Sequence, residues 1–231
     1  MVGSLIGSLI QAGRELLLLP QCPVCSASVS SHAQTSIACK ACQQRFSLAE
    51  NGLQGLSPLP WRGLGFYAGD FRRLLLRLRK RDDQRAIRAL SRQLKSLVTK
   101  QALLIPIPSW KSKARANSTP LIMGSAMGLP CFNLLRRTRP TLGQHSLSQP
   151  LRQSNQHNSF EACPDNQAIR IDWRQHQAWI VDDILTTGAT ALAARTALRK
   201  LAIPVAGMIC LARTPTKANV NASKTGSQRE T

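Results

Sequence analysis

The sequence has few acidic residues and few aromatic ones. Eleven Asp and Glu stand against thirty-one Lys and Arg, which gives the 231-residue chain a formal net charge of +20. Such a charge favours polyanionic partners such as nucleic acid, phosphorylated substrates or an anionic membrane surface. The alternative is simply a basic, solvent-exposed surface. Five Phe, four Trp and one Tyr do not interleave with the basic runs, so the sequence gives little support for a base-stacking platform.

Long hydrophobic runs are also missing. No apolar run approaches the roughly 18 residues of a membrane-spanning helix. The first residues lack a basic stretch ahead of their apolar part, and Arg14 and Glu15 interrupt that part, so we expect no secretory signal. We therefore predict a cytoplasmic location. In that reducing compartment cysteines are more often metal ligands than disulfide partners.

Two Cys-x-x-Cys pairs, Cys22 with Cys25 and Cys39 with Cys42, are separated by 13 residues. Each pair can occupy a tight turn that directs both thiolates at one ion, and two such turns complete a tetrahedral four-sulfur site. We predict a structural zinc ion there, preceded by a short amphipathic helix within residues 5–17. Two disulfides, a redox pair, or His32 in place of one sulfur are the competing interpretations. Cys210 lies in an apolar stretch and is predicted to be a core residue.

A basic helical region follows a predicted linker at residues 51–60, which is rich in Gly and Pro. From Asp70, a candidate N-cap, Leu residues recur at three- and four-residue spacing as far as Leu97, with a break at Asp82-Asp83. Four cations of this region are candidate contacts to a nucleic-acid backbone: Arg77, Arg79, Lys80 and Arg81. The alternative is a solvated helix face.

The second half of the chain predicts alternating strands and helices. A strand at 102–107 is followed by a helix that begins near Thr119-Pro120, with Thr119 as its N-cap, and ends at Gly128. Residues 136–166 are polar and predicted to be irregular. A strand at 178–181, a helix at 191–201 and a strand at 205–211 then form a βαβ unit, which implies parallel strands.

The stretch 178–190 (Ala-Trp-Ile-Val-Asp-Asp-Ile-Leu-Thr-Thr-Gly-Ala-Thr) is the most informative in the sequence. A buried strand delivers Asp182 and Asp183 to the edge of the sheet where ligands bind in open α/β folds. A turn rich in small and hydroxyl residues then opens a helix, whose N–H groups and dipole suit a phosphate monoester. Gly188 and Ala189 in this turn would let the backbone approach a ligand closely. A sugar phosphate fits both halves of this stretch, whereas a pair of helix-capping acids explains only part of it.

This stretch resembles the phosphoribosyl-pyrophosphate motif of type I phosphoribosyltransferases, and residues 15–213 resemble the ComF family. That family joins a zinc ribbon to this fold. Further landmarks of the resemblance are Tyr67-Ala-Gly, Ile105-Pro-Ile-Pro108, Gln144, Leu147, Arg152, Asn155, Phe160 and Leu211-Ala-Arg213. The implied fold is α/β, of the type I phosphoribosyltransferase class, with a parallel-sheet core and flanking helices. The implied organisation is a helix and zinc ribbon in 1–60, the main domain in 61–213 and a disordered tail in 214–231.

The resemblance also implies roles for residues. Asp182 and Asp183 would hold the ribose hydroxyls of phosphoribosyl pyrophosphate, bound with Mg²⁺. The 5′-phosphate would lie in a cradle formed by Thr186, Thr187, Gly188, Ala189 and Thr190. The turn after Pro108 would correspond to the pyrophosphate loop, where Arg115-Ala-Asn117 departs from the Arg-Gly-Phe-Asn-Gln usual in the family.

Two functional hypotheses follow. The first is an enzyme that transfers phosphoribosyl to an unknown acceptor. The second is a non-catalytic DNA-uptake factor that binds single-stranded DNA and competence-machinery proteins. This hypothesis follows from the association of the ComF family with natural competence.

Overall fold

A five-stranded, mostly parallel sheet forms the centre of the molecule. In the computed structural model, residues 20–30, 35–109, 118–138, 159–163 and 168–216 are described. The predicted leading helix, His32, the 115–117 turn and the chain beyond residue 216 lie outside these residues. Within the described ranges, no helix has the length and apolar character needed to cross a bilayer.

The strand order of the sheet is β1-β2-β7-β6-β3. The neighbours β2 and β7, β7 and β6, and β6 and β3 run parallel, and β1 is antiparallel to β2. Two short strands, β4 and β5, form a separate antiparallel pair. The strands are β1 (Leu53–Gly55), β2 (Trp61–Phe66), β3 (Ala102–Pro106), β4 (Leu135–Arg137), β5 (Phe160–Ala162), β6 (Gln177–Leu185) and β7 (Val205–Arg213).

The described helices are α1 (Lys40–Arg45), α2 (Gly69–Arg81), α3 (Gln84–Leu94), α4 (Thr119–Ala126) and α5 (Ala189–Arg199). Strands β6 and β7 are parallel and joined through α5, so the predicted βαβ unit is confirmed. The break at Asp82-Asp83 is also confirmed. Asp82 ends α2 in the left-handed conformation (φ 53°), and the Asp83 side chain accepts a hydrogen bond from Ala86 N at the start of α3.

Two predicted helix caps are each displaced in the structure. The N-cap of α2 is Ala68, whereas Asp70 lies in the first turn and forms ion pairs with Arg45 and Arg73. A carboxylate in the first turn of a helix interacts favourably with the helix dipole, although it does not cap a backbone N–H group. The N-cap of α4 is Ser118 instead of Thr119.

Alternate residues of the central strands enter two different apolar cores, because successive side chains of a strand point to opposite faces. Trp179, Val181 and Ile209 join the core that contains α2, α3 and α4. Ile180 and Cys210 join the other core, which contains α5 and the β4–β5 pair. Cys210 is fully buried, as predicted. The molecule is therefore a mixed α/β structure with helices on both faces of its sheet.

Two segments differ from their predicted irregular character. Residues 51–60, predicted as a linker, contain β1 and its turn into β2 and so complete the sheet. The predicted irregular segment 136–166 has paired ends, since Arg137 lies opposite Phe160 and Arg136 opposite Glu161. Both pairings join short strands whose apolar pattern is too brief to stand out in the sequence.

Candidate functional site

The two acids lie at the carboxyl edge of the sheet, where β6 extends beyond its neighbour β3. The ladder between β3 and β6 ends at Pro106 and Val181, whereas β6 continues beside β7 through Asp182 and on to Leu185. Strand β6 thus continues four residues beyond the end of the predicted 178–181. Both acids are half-buried, and Asp183 N donates a hydrogen bond to Asp182 Oδ1 at 2.9 Å.

Each acid faces a cation from a different layer of the fold. Adjacent strand residues point to opposite faces, so Asp183 faces the helix α2 and Asp182 faces the β4–β5 pair. Arg79 Nε of α2 lies 3.2 Å from Asp183 Oδ2. Arg137 of β4 interacts electrostatically with Asp182.

Asp182 carries a strongly shifted pKa. Burial raises it to about 8, and the negative charge of Asp183 adds to that shift. The Asp183 N–H, Arg137 and Arg79 all favour the charged form, but together they do not outweigh burial. A half-buried carboxyl with such a pKa at the ligand-binding edge of a parallel sheet is typical of functional sites.

The turn after β6 leads directly into the helix α5. Gly188 is the N-cap of α5 in the left-handed conformation (φ 80°), and as a glycine it has no side chain with which to cap the helix. A Cβ on Gly188 would lie 2.0 Å from Pro58 Cγ of the β1–β2 turn, so only glycine fits. Thr187 Oγ1 accepts from Ala189 N at 3.4 Å. The start of α5 therefore presents N–H groups and a positive dipole end beside threonine hydroxyls.

Arg213, at the end of β7, fixes the start of this turn. Its buried guanidinium donates to the carbonyl oxygens of Leu185 (3.0 Å) and Thr186, and it stacks over Trp61. The backbone N–H of Thr214 adds a second bond to Leu185 O at 2.9 Å. Sequence reasoning noted Arg213 only as a landmark of the family resemblance. Its role depends on contacts between residues 27 and 28 positions apart, which no local pattern reveals.

The four candidate nucleic-acid contacts of α2 do not all lie in the same environment. Arg77, Lys80 and Arg81 are exposed and line a shallow groove around the exposed Leu76. Within the described part of the chain, none of these three cations has an ion pair. Arg79 instead turns towards the acids, so it belongs to the carboxyl edge of the sheet.

The four predicted cysteine ligands come together in one cluster. Their sulfur atoms all lie within 4.8 Å of one another, with Cys22 Sγ 3.9 Å from Cys42 Sγ and Cys25 Sγ 3.8 Å from Cys39 Sγ. Zinc–sulfur bonds of about 2.3 Å in a tetrahedron require sulfur separations of about 3.8 Å. All seven cysteines of the chain are free thiols, so neither Cys-x-x-Cys pair is a disulfide. The cluster could hold one metal ion.

Local backbone geometry prepares one of these thiols for deprotonation. Burial raises the pKa of Cys22, but N–H groups of Cys39, Cys25 and Val24 outweigh it and bring the pKa to about 7. Two of these donors, Val24 N and Cys39 N, each lie 3.4 Å from Cys22 Sγ. Burial raises the pKa of Cys39 and Cys42. A bound cation would reverse that effect, because a coordinating thiol loses its proton.

No protein-family model matches the sequence, and no curated protein matches it. What Asp182 and Asp183, the turn after β6 and the cysteine cluster can do therefore follows from their own geometry.

Proposed function

We propose that this protein binds phosphoribosyl pyrophosphate, or a related ribose 5-phosphate compound, at the carboxyl edge of its sheet. The observation that carries the proposal is the sequence of features along β6 and α5. Two half-buried acids near the end of β6 are followed by a turn that opens the helix α5 at Gly188, a cap residue without a side chain. A diol suits the acids and a phosphate suits the turn, so one ribose phosphate satisfies both.

In this proposal Asp182 and Asp183 hold the ribose hydroxyls, and residues 186–190 hold the 5′-phosphate. Carboxylate oxygens are also the ligands that Mg²⁺ prefers, so the acids fit a ribose that binds together with this ion. The parallel sheet, the turn and the cysteine cluster are compatible with a type I phosphoribosyltransferase fold and with the ComF family. Both of these assignments are part of the proposal.

The reaction that this site would support is phosphoribosyl transfer. The bond between the anomeric carbon and pyrophosphate would break, and pyrophosphate would leave with the bonding electron pair. A bond to a nucleophilic atom of the acceptor would form, and the acceptor would lose a proton. The protein would contribute mainly positioning and electrostatic stabilisation of the charge that develops at the anomeric carbon.

Calorimetric titration with phosphoribosyl pyrophosphate and Mg²⁺ tests the proposal. We expect the wild type to bind and Asp182→Asn and Asp183→Asn each to bind at least tenfold more weakly, because hydrogen bonds to charged groups contribute roughly 1.5–3 kcal/mol. The control is Asp172→Asn, an exposed acid that precedes the opposite end of β6. A wild type that does not bind, or variants that bind like it, would contradict the proposal.

The cysteine cluster is proposed to hold a structural zinc ion. Its sulfur separations fit a tetrahedral zinc site, and four sulfurs leave no open position for catalysis. Its expected contribution is to the folding of the N-terminal part of the chain.

A second candidate function, binding of single-stranded DNA in competence, is favoured by the groove that Arg77, Lys80 and Arg81 line. Replacing all three by Gln should weaken binding of a single-stranded oligonucleotide. It should also reduce the slope of log affinity against log salt by up to about 2, since each lost phosphate contact removes about 0.7. The control replaces Arg195, Arg199 and Lys200, which removes the same charge from α5 and its end. Equal effects of the two triple variants in fluorescence anisotropy would indicate only a general charge effect.

A further inference from the structure

A small polar pocket lies near the amino ends of the parallel strands, away from Asp182 and Asp183. Its volume is about 160 Å³, and its walls come from β1, β2 and the segments beside β1 and after α3: Asn51, Leu53, Gln54, Arg62, Ser96 and Leu97. Four of these six side chains are polar, and none is acidic. Pockets for drug-sized ligands measure roughly 300–1,000 Å³, so this one is of a size for a small ion or a single chemical group.

The charged wall of the pocket, Arg62, is supported by an aromatic ring from another strand. The Arg62 guanidinium lies 5.2 Å from the centre of the Trp179 ring, although β7 separates β2 from β6. The indole can lie across β7 because residue 207 is glycine: a Cβ there would come within 2.7 Å of Cζ3 of Trp179. Stacking uses the face of the guanidinium, and its N–H groups lie in the plane, where they can still donate to oxygen atoms.

Both members of this stack carry donors that lack a partner among the described residues. Arg62 is half-buried, yet it forms no ion pair with an acid in the part of the chain that the structure describes. Trp179 is only 5% exposed, and its Nε1 is a buried donor for which the described residues supply no acceptor. Buried N–H groups without an acceptor are rare in folded proteins. Two such donors in contacting side chains indicate a place for an acceptor.

The neutral side chains of the pocket can assist the guanidinium. Gln54 of β1 is the direct cross-strand partner of Arg62, so the two side chains lie on the same face of the sheet. Asn51, Gln54 and Ser96 each add amide or hydroxyl donors to the wall. One cation surrounded by neutral donors, with no acid in the described wall, suits an anion and does not suit a metal ion.

We propose that this pocket binds a small oxyanion, a phosphate or a carboxylate group, through Arg62. The planar fork of the guanidinium matches two oxygens of either group, and Trp179 fixes the plane of the fork. The pocket lies at the end of β2 and β6 opposite to the acids, so this inference does not depend on the proposed function.

Nuclear magnetic resonance of the indole N–H of Trp179 tests the proposal at the site itself. Its signal is assigned by its loss in Trp179→Phe. The ¹⁵N-labelled protein is titrated with inorganic phosphate and, separately, with acetate, at an ionic strength held constant with chloride so that general charge screening does not change. We expect a saturable shift of this signal with at least one of the two anions, and the one that binds more tightly identifies the group that the pocket takes. Arg62→Gln should weaken this binding at least tenfold, which is the size of one charged hydrogen bond.

The matched control is Arg195→Gln, which removes a half-buried cation from α5 on the other face of the sheet and should bind like the wild type. Arg62→Lys keeps the charge without the fork and should weaken binding to a smaller extent. It also carries the test if thermal unfolding shows that Arg62→Gln is not folded. The proposal is overturned if neither anion shifts the Trp179 signal saturably, if phosphate shifts only the amides of residues 186–190, or if Arg62→Gln and Arg62→Lys bind like the wild type. Equal losses in Arg62→Gln and Arg195→Gln would also overturn it, because the effect would then be one of net charge.

Discussion

Single residues of the carboxyl edge are positioned by contacts that span long stretches of sequence. The sequence is sufficient to single out Asp182 and Asp183, because an apolar strand that ends in two acids is a local pattern. It does not reveal Arg137, whose position depends on the pairing of β4 with β5. Nor does it separate Arg79 from the neighbouring cations of α2, since only the folded chain places Arg79 3.2 Å from Asp183. The sequence therefore predicts the two acids, but not that Arg79 and Arg137 are the cations beside them.

At the same scale, Asp182 should make the stability of the unliganded protein depend on pH. Burial in the folded state raises the pKa of this carboxyl from about 4 to about 8; the charge of Asp183 adds to this shift, and Arg137 and Arg79 oppose it. Between these values the unfolded state has lost the proton and the folded state retains it, so the free energy of unfolding falls as pH rises. One group can contribute at most about 1.4 kcal/mol per pH unit to this slope.

Asp182→Asn, which cannot ionise, should therefore be more stable than the wild type at pH 8, and this gain should shrink towards pH 5. Urea unfolding of both proteins at several pH values measures the difference. Asp183→Asn should not reproduce the full gain at pH 8, because Asp182 stays ionisable in that variant and burial, the larger cause of its raised pKa, remains. Curves for the wild type and Asp182→Asn that stay parallel from pH 5 to pH 8 would contradict the prediction.

At the scale of elements, apolar periodicity identifies the long helices and the buried strands, but not their ends. Strand β6 continues to Leu185 because its ladder with β7 persists past the point where its side chains become polar. Apolar character reports burial, whereas a strand ends where its backbone hydrogen bonds end. Strand β1 escapes prediction for a related reason: it is three residues long, lies at the edge of the sheet and stands among Gly and Pro.

The turn between β6 and α5 shows how neighbouring elements shape a binding site. Gly188 is required by its positive φ and by the contact with Pro58, so the β1–β2 turn helps to shape the start of α5. The sequence indicates that a small residue is needed there, on the ground that a ligand approaches the backbone. In the structure, the atom nearest to a Cβ at position 188 is Cγ of Pro58. The approach of a ligand and the contact with Pro58 are compatible reasons for a glycine, and the structure shows the contact with Pro58.

At the scale of the whole molecule, the cysteine cluster and the sheet domain share one apolar core. Cys22, Cys42 and Phe46 belong to the same buried cluster as Phe71 and the leucines of α2 and α3. Phe46 and Phe71 have ring centroids 6.4 Å apart. Arg85 and Arg92 of α3 donate to backbone oxygens of Gln21 and Ser36. Although the sequence predicts a separate small module, these contacts couple the cysteine cluster to α2 and α3.

Loss of the proposed zinc should therefore destabilise the whole molecule instead of unfolding one end of it. We expect Cys25→Ser to lose about one zinc per chain and to lower the unfolding temperature in a single transition. A drop on the order of 10 °C corresponds to about 3–5 kcal/mol in a chain of this length. The matched control is Cys163→Ser, since Cys163 is also exposed but lies outside the cluster. Metal analysis and calorimetry of both variants make the comparison. If Cys25→Ser keeps its zinc, Cys25 is not a metal ligand, and if it melts in two separate steps, the cluster and the sheet are not coupled. Loss of the zinc with a single, lower transition would mean that the metal stabilises the core that also supports α2, whose Arg79 pairs with Asp183.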